Sequence, residues 1–171
     1  MVKNLLVTLF ILSVGLTAQS QYTAKIKKAA DVVAKATIEG DYTTAINCMY
    51  PPAVKMGGGK QAMIALLKKT MEDLEKDGQG FKSASNGEPG EVYRSGKELH
   101  SVVPQYMEMK YKDGYLSFTT SMLAVSQDEG KTWTFVSAGN IEPERLKKMF
   151  PALNKNLVII KSTPPVYHSG Q

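Results

Sequence analysis

Cysteine and arginine are both scarce in this chain of 171 residues. Cys48 is the single cysteine, so no intrachain disulfide can form and stability must come from a packed core. The chain has a formal net charge of +5, but its two arginines, Arg94 and Arg145, form no basic stripe. The lysines are scattered in pairs that are typical of solvated helix faces, and we therefore expect no nucleic-acid partner.

Histidine is scarce as well, since His100 and His168 are the only two. A nucleophilic cysteine would need a nearby histidine and an orienting acid. Neither histidine makes a convincing partner for Cys48, and His168 lies three residues from the end of the sequence, where chains usually fray. The residues therefore predict no catalytic group, no metal site and no cofactor.

Long hydrophobic runs are also missing. The longest run, Leu5 to Leu16, has about 12 residues, whereas a membrane-spanning helix needs about 20. Lys3 precedes the run, and the small residues Ala18 and Ser20 follow it at the spacing that a signal peptidase prefers. We predict that residues 1–20 are a signal peptide cleaved after Ser20. The mature protein would then be periplasmic or secreted, with no stable membrane insertion.

The chain that follows predicts two opening helices and, after a glycine run, a third. Apolar residues recur at helical spacing from Tyr22 to about Glu39. Asp41 is a good N-cap for a short second helix, which the pair Pro51-Pro52 would end. Residues Ala53 to Met56 then predict a short apolar linker or strand, and Asp77-Gly78 closes the third helix.

From Gln79 onward the apolar and polar residues alternate, which predicts an antiparallel meander of four strands. The predicted strands are Phe81–Tyr93, Leu99–Lys112, Tyr115–Val125 and Thr132–Ala138. A last helix from Pro143, a short closing strand at Leu157–Ile160 and a tail over residues 163–171 complete the chain. One sheet face is apolar and the other polar, so the helices must bury their apolar stripes on the first. The prediction is one α+β domain over residues 21–162, with helices packed into a curved antiparallel sheet.

The stretch from Ser126 to Trp133 matches the pattern Ser-x-Asp-x-Gly-x-Thr-Trp at every fixed position. It resembles the Asp-box of sialidases and related β-propellers, where the box is a structural turn remote from the catalytic pocket. In such a turn Asp128 can accept backbone amides, Gly130 can take a positive φ and Trp133 can cover the turn. A propeller needs several blades, so we interpret Ser126, Asp128, Gly130, Thr132 and Trp133 as a structural turn.

The order of elements resembles the nuclear transport factor 2 superfamily, the cone-shaped fold of ketosteroid isomerases and polyketide cyclases. The local cues are Gly40-Asp41-Tyr42, the apolar segment Ala53 to Met56, and Gly59-Lys60. The segment Pro143 to Ile160, with Phe150-Pro151, also resembles exported bacterial proteins of unknown function with this fold. The resemblance implies a pocket between helices and sheet, and often a homodimer.

Enzymes of that superfamily commonly place an aspartate, or an aspartate and a histidine, in the cone as a general base. The inward strand positions here are methionine and phenylalanine, which favours a non-catalytic binding or interaction module for a small apolar ligand or a protein partner. The predicted pocket is lined by Tyr50, Met63, Met107, Met109, Phe118 and Met122. The alternative is a small cofactor-free enzyme of isomerase or cyclase type. A carboxylate or His100 buried beside Tyr50 or Tyr106 would favour the enzyme.

Overall fold

A computed structural model describes the backbone of residues 2–170 and the side chains of residues 19–170. The helices are α1 (Val2–Glu39), α2 (Tyr42–Asn47), α3 (Pro51–Met56), α4 (Lys60–Lys76) and α5 (Pro143–Met149). The strands are β1 (Gly80–Asn86), β2 (Tyr93–Ser95), β3 (Glu98–Tyr111), β4 (Gly114–Ser126), β5 (Thr134–Ser137) and β6 (Val166–Ser169). The chain therefore combines helices with an antiparallel sheet, and the predicted α+β class is confirmed.

Local signals set the ends of the first helices. Gly40 follows α1 with a φ of +71°, which a glycine adopts without strain. The Asp41 carboxylate accepts the Thr44 amide at 3.0 Å and caps α2, as predicted. The prediction for Pro51-Pro52 is wrong, because α2 already ends at Asn47 and the two prolines begin α3. A proline is favoured in the first turn of a helix, where its missing N–H is not needed.

The long hairpin of β3 and β4 forms the centre of the sheet. Its pairing runs from Tyr111 opposite Gly114 to Leu99 opposite Ser126, so the turn has two residues as predicted, but they are Lys112 and Asp113, one position before the predicted Asp113-Gly114. The strand order is β1-β3-β4-β5, with β2 also paired to β3 and β6 also paired to β4.

The end of the chain differs from the prediction. Residues 163–171 were expected to be a tail, but β6 pairs with β4, and the His168 ring stacks on the Tyr115 ring at 4.6 Å. In contrast, the segment Leu157–Ile160 forms no strand. The segment is nevertheless attached to the sheet, since Leu157 is buried and the Ile160 carbonyl accepts the Ser121 hydroxyl at 2.7 Å.

Each face of the sheet contributes to a buried core, which corrects the expectation of one apolar and one polar face. One face packs on α1 in a core that includes Ile26, Val103 and Met122. The opposite face packs on α3, α5 and the segment that follows α5. Its core members are Tyr50, Val102, Leu123, Val125, Val136, Ala138, Phe150 and Leu157.

Among the described residues, no helix combines the length and the apolar character that crossing a membrane requires. The predicted cleavage point after Ser20 falls inside α1. Most of the predicted signal peptide lies outside the residues whose side chains are described, so the signal remains a prediction.

Candidate functional site

The structure does not bring the six predicted pocket residues together. The four strand residues lie on the sheet face that packs on α1. Met107 pairs with Phe118 across the β3–β4 hairpin, and Met109 is two residues further along β3. Met122 is buried in the core against α1. Tyr50 belongs to the core on the opposite face, which places it across the sheet from all four.

Met63 lies apart from both groups, on α4. It lines a separate cavity of about 320 Å³ together with Met49, Met56 and Met149. This cavity is therefore separate from the sheet face that carries Met107, Met109 and Met122. None of the five main cavities in the described part of the chain is lined by Met107, Met109 or Met122.

A polar cluster centred on Glu98 is the best candidate site. The Tyr50 hydroxyl donates to Glu98 Oε1 at 2.8 Å, and the Gln127 side-chain amide donates to the same oxygen at 2.7 Å. His100 Nε2 lies 2.9 Å from Glu98 Oε2. Three side-chain donors thus converge on one carboxylate.

Separate elements supply the members of this cluster. Glu98 and His100 are two residues apart on β3, so their side chains point to the same sheet face. Tyr50 directly precedes α3 and is fixed by its amide, which donates to the Phe135 carbonyl at 3.0 Å. Gln127 directly follows β4. The cluster therefore forms only when α3 and the hairpin of β3 and β4 are packed together.

The hydrogen bonds decide the charge of the cluster. Burial alone would raise the pKa of the Glu98 carboxyl, but the hydrogen bonds from His100, Tyr50 and Gln127 outweigh it and lower that pKa. Burial, and then the contact with Glu98, raises the pKa of the Tyr50 hydroxyl well above its usual range. At neutral pH the site therefore holds an ionised carboxylate beside a neutral phenol.

The His100 side chain is only 1% exposed, and its ring packs edge-on against the Phe150 ring at a centroid distance of 5.2 Å. An ionised carboxylate can only accept, so Nε2 must carry the hydrogen of this bond. In the neutral ring Nδ1 is then an acceptor, and it is buried without a hydrogen-bond partner. Such an unpaired buried polar atom is uncommon, and among the described residues the Trp133 indole nitrogen is the other example.

The cluster forms one wall of a cleft of about 500 Å³, which we call the Glu98 cleft. The lining also includes the turn from Ser95 to Lys97, which forms the rim, and apolar residues at the end of α5 and just after it. These apolar residues are Met149, Phe150, Pro151 and Ala152. The Glu98 side chain is 19% exposed, so its carboxylate can be reached from solvent. The volume falls within the range of small-molecule sites.

A larger groove of about 760 Å³ runs along α1, and its lining includes Gln19, Ser20, Lys27 and Asp31. Two of these residues belong to the predicted signal peptide, so the mature chain would lack part of this wall. Its charged groups are also partly or fully exposed, whereas a ligand site needs polar groups held in place. We therefore favour the smaller Glu98 cleft.

Hydrogen bonds among its own residues hold the Asp-box hairpin together. Asp128 Oδ1 accepts the Lys131 amide at 3.1 Å and the Thr132 amide at 2.9 Å, and Oδ2 accepts the Thr132 hydroxyl at 2.7 Å. The Ser126 hydroxyl donates to Asp128 Oδ1 at 2.8 Å and accepts the Gly130 amide at 2.8 Å. These bonds leave the carboxylate saturated.

The same hairpin packs on α1. The Trp133 ring meets the Tyr22 ring edge-on at 6.1 Å, and Gly130 has a φ of +78° with its Cα against the Tyr22 ring. The turn thus joins the sheet to α1.

The structure supports neither a reactive cysteine nor a metal site among the described residues. Cys48 is half-buried, and burial raises the pKa of its thiol, which opposes formation of a reactive thiolate. Within the described part of the chain, no group of three or more His, Cys, Asp or Glu side chains is placed to hold a metal ion.

The chain matches no family model, and comparisons with curated proteins and with solved structures found no significant match. The resemblance to the nuclear transport factor 2 superfamily therefore stays a prediction.

Sequence reasoning named Tyr50 and considered His100 but missed Glu98 and Gln127. Glu98 was detectable in part, because it shares a strand face with His100. Its contact with Tyr50, 48 residues away in the chain, depends on how the second face of the sheet is covered.

Proposed function

We propose that the mature chain is an exported, non-catalytic binding module whose small-molecule ligand occupies the Glu98 cleft. The proposal rests on one observation, the convergence of the Tyr50, His100 and Gln127 donors on a carboxylate that lines the cleft. Holding polar groups in this way costs desolvation and side-chain freedom. A few fixed polar groups facing an apolar wall are the usual features of a ligand site.

Glu98 is better suited to hold a ligand than to remove a proton. A carboxylate with a lowered pKa is a weak base, and general bases work best with a pKa near the operating pH. The three donors also occupy most of the roughly four lone-pair positions of the carboxylate. Glu98 therefore acts as a fixed negative charge with one remaining hydrogen-bonding position.

One observation favours the alternative, a small cofactor-free enzyme of isomerase or cyclase type. A histidine buried beside Tyr50 is the feature expected of such an enzyme, and His100 lies there, hydrogen-bonded to Glu98. A carboxylate commonly orients a histidine that serves as a general base. However, the free Nδ1 atom is fully buried, so a substrate could reach it only after the cleft had opened.

Native mass spectrometry of protein purified from the cells that produce it tests this proposal. We expect a retained small molecule on the wild-type chain, lost in Glu98→Gln and kept in Glu144→Gln. Glu144 is an exposed carboxylate on α5 and serves as the matched control. Retention by both variants, or a wild-type chain that carries no ligand, would contradict the proposal.

Turnover separates the two candidate functions. The compound released from the wild-type chain is incubated with fresh wild-type protein and with His100→Gln. The binding module predicts that the compound is recovered unchanged in both. Conversion by the wild-type protein alone would favour the enzyme.

A further inference from the structure

All donors of the Glu98 cluster except the second amide hydrogen of Gln127 are used within the cluster. The hydroxyl hydrogen of Tyr50, the Nε2 hydrogen of His100 and an amide hydrogen of Gln127 are directed to the two oxygens of Glu98. The amide of Gln127 must present its nitrogen to the carboxylate, because two oxygens would repel each other. A ligand therefore finds few donors on this wall.

What remains on the wall is a set of acceptors. Glu98 Oε2 accepts one hydrogen bond, from His100, and keeps a free lone pair. The carbonyl oxygen of Gln127 and the phenolic oxygen of Tyr50 also have free lone pairs. The lowered pKa of Glu98 keeps a full negative charge among these acceptors at neutral pH.

We propose that the ligand of the Glu98 cleft is a cation rich in hydrogen-bond donors, a primary ammonium or a guanidinium group on a small apolar body. This inference rests on the proposed function, that the cleft binds a small molecule. The cationic group pairs with the Glu98 wall through charge-assisted hydrogen bonds. The apolar body packs on Met149 and Pro151, which line the same cleft. Lys97 lies on the rim and is exposed, so its flexible side chain can keep its charge in solvent.

Three probes that share one ring and differ in charge test the ligand class: benzylammonium, benzyl alcohol and phenylacetate. Each is titrated into the full mature chain, with the Gln127 amide and His100 ring resonances followed by nuclear magnetic resonance. We expect benzylammonium to bind roughly tenfold more tightly than benzyl alcohol, the effect of one hydrogen bond to a charged group. Phenylacetate should bind most weakly. Glu98→Gln should weaken benzylammonium binding by about tenfold or more, and Glu144→Gln should leave it unchanged.

A second variant keeps the test decisive if Glu98→Gln fails to fold. Lys97→Gln removes a positive charge from the exposed rim without touching the cluster, and it should tighten benzylammonium binding by a few fold. Weaker binding in this variant would overturn the inference. Tighter binding of benzyl alcohol or phenylacetate than of benzylammonium would overturn the cation class and leave the proposed function standing. If no probe shifts the Gln127 and His100 resonances, the cation class fails, and native mass spectrometry of the wild-type chain decides separately whether the proposed function stands.

Discussion

Replacing Asp128 by alanine should lower the free energy of unfolding by about 1 kcal/mol at neutral pH. The amide of Thr132 is the largest cause of the low pKa of this carboxyl, and the hydroxyls of Thr132 and Ser126 and the amide of Lys131 add to it. Together they outweigh the effect of burial and lower the pKa from an ordinary value of 3.8 to about 2. A shift of this size corresponds to about 2 kcal/mol, and solvent screening at the partly exposed turn reduces it by about half.

The stability lost in Asp128→Ala should decrease as the pH falls. Because the pKa of Asp128 is lower in the folded chain, its contribution is complete above about pH 4 and is lost as the pH falls through about 2. Urea unfolding of the wild-type chain and of Asp128→Ala, at neutral pH and then at steps below pH 4, measures the difference. We expect the two chains to approach each other in stability as the solution becomes more acidic.

Glu88→Ala is the control, since Glu88 is an exposed acid on a different loop and should change stability by less than about 0.5 kcal/mol. Equal stability of Asp128→Ala and wild type at neutral pH would refute the reasoning. So would a difference that stays constant down to about pH 2. Binding at the Glu98 cleft should survive in Asp128→Ala, because none of the hydrogen bonds of Asp128 reaches the Glu98 cluster.

Two further predictions concern Gly130 and the beginning of the mature chain. Gly130→Ala should lower the free energy of unfolding, measured in urea, by more than Gly78→Ala does. Both glycines have positive φ, which costs an alanine about 1–2 kcal/mol at either position. Only at Gly130 would the new Cβ overlap the Tyr22 ring. Equal losses would show that the contact with Tyr22 is unimportant. If Ser20 precedes the cleavage site, mass spectrometry of the exported protein should find a chain that begins at Gln21, and a chain that keeps its first 20 residues would contradict the signal peptide.

The parts of the fold that follow from neighbouring residues were predictable from the sequence. Gly40 and Asp41 mark the boundary between α1 and α2 because a positive φ and a side-chain cap are local requirements. A two-residue turn in the longest hairpin was predictable for the same reason, although the Asp113-Gly114 signal placed it one residue after its position at Lys112-Asp113. The pair Pro51-Pro52 was ambiguous, because prolines can follow one helix or begin the next. No other residue nearby distinguished the end of α2 from the beginning of α3.

The parts that depend on distant residues were not predictable in the same way. Leu123 and Val125 share a strand face with Ser117, Thr119 and Ser121, and the three polar residues made that face look solvated. In the structure this face is polar at one end of β4 and apolar at the other, where α3, α5 and the following segment cover it. The alternation of apolar and polar residues was interpreted for the whole strand at once, so the difference between the polar and the apolar end of this face was missed.

The covering of the second face also explains why the candidate site could not be derived from the sequence. Glu98 and His100 share a strand face by local geometry, but Tyr50 and Phe150 reach them only because α3 and α5 pack there. The Tyr50 and Phe150 rings lie 5.0 Å apart in that core, and both residues also line the Glu98 cleft. The cleft therefore exists only while the core on this face is packed. Since the unfolded chain lacks the cleft, a ligand that binds there must raise the free energy of unfolding, by an amount set by its concentration relative to its dissociation constant.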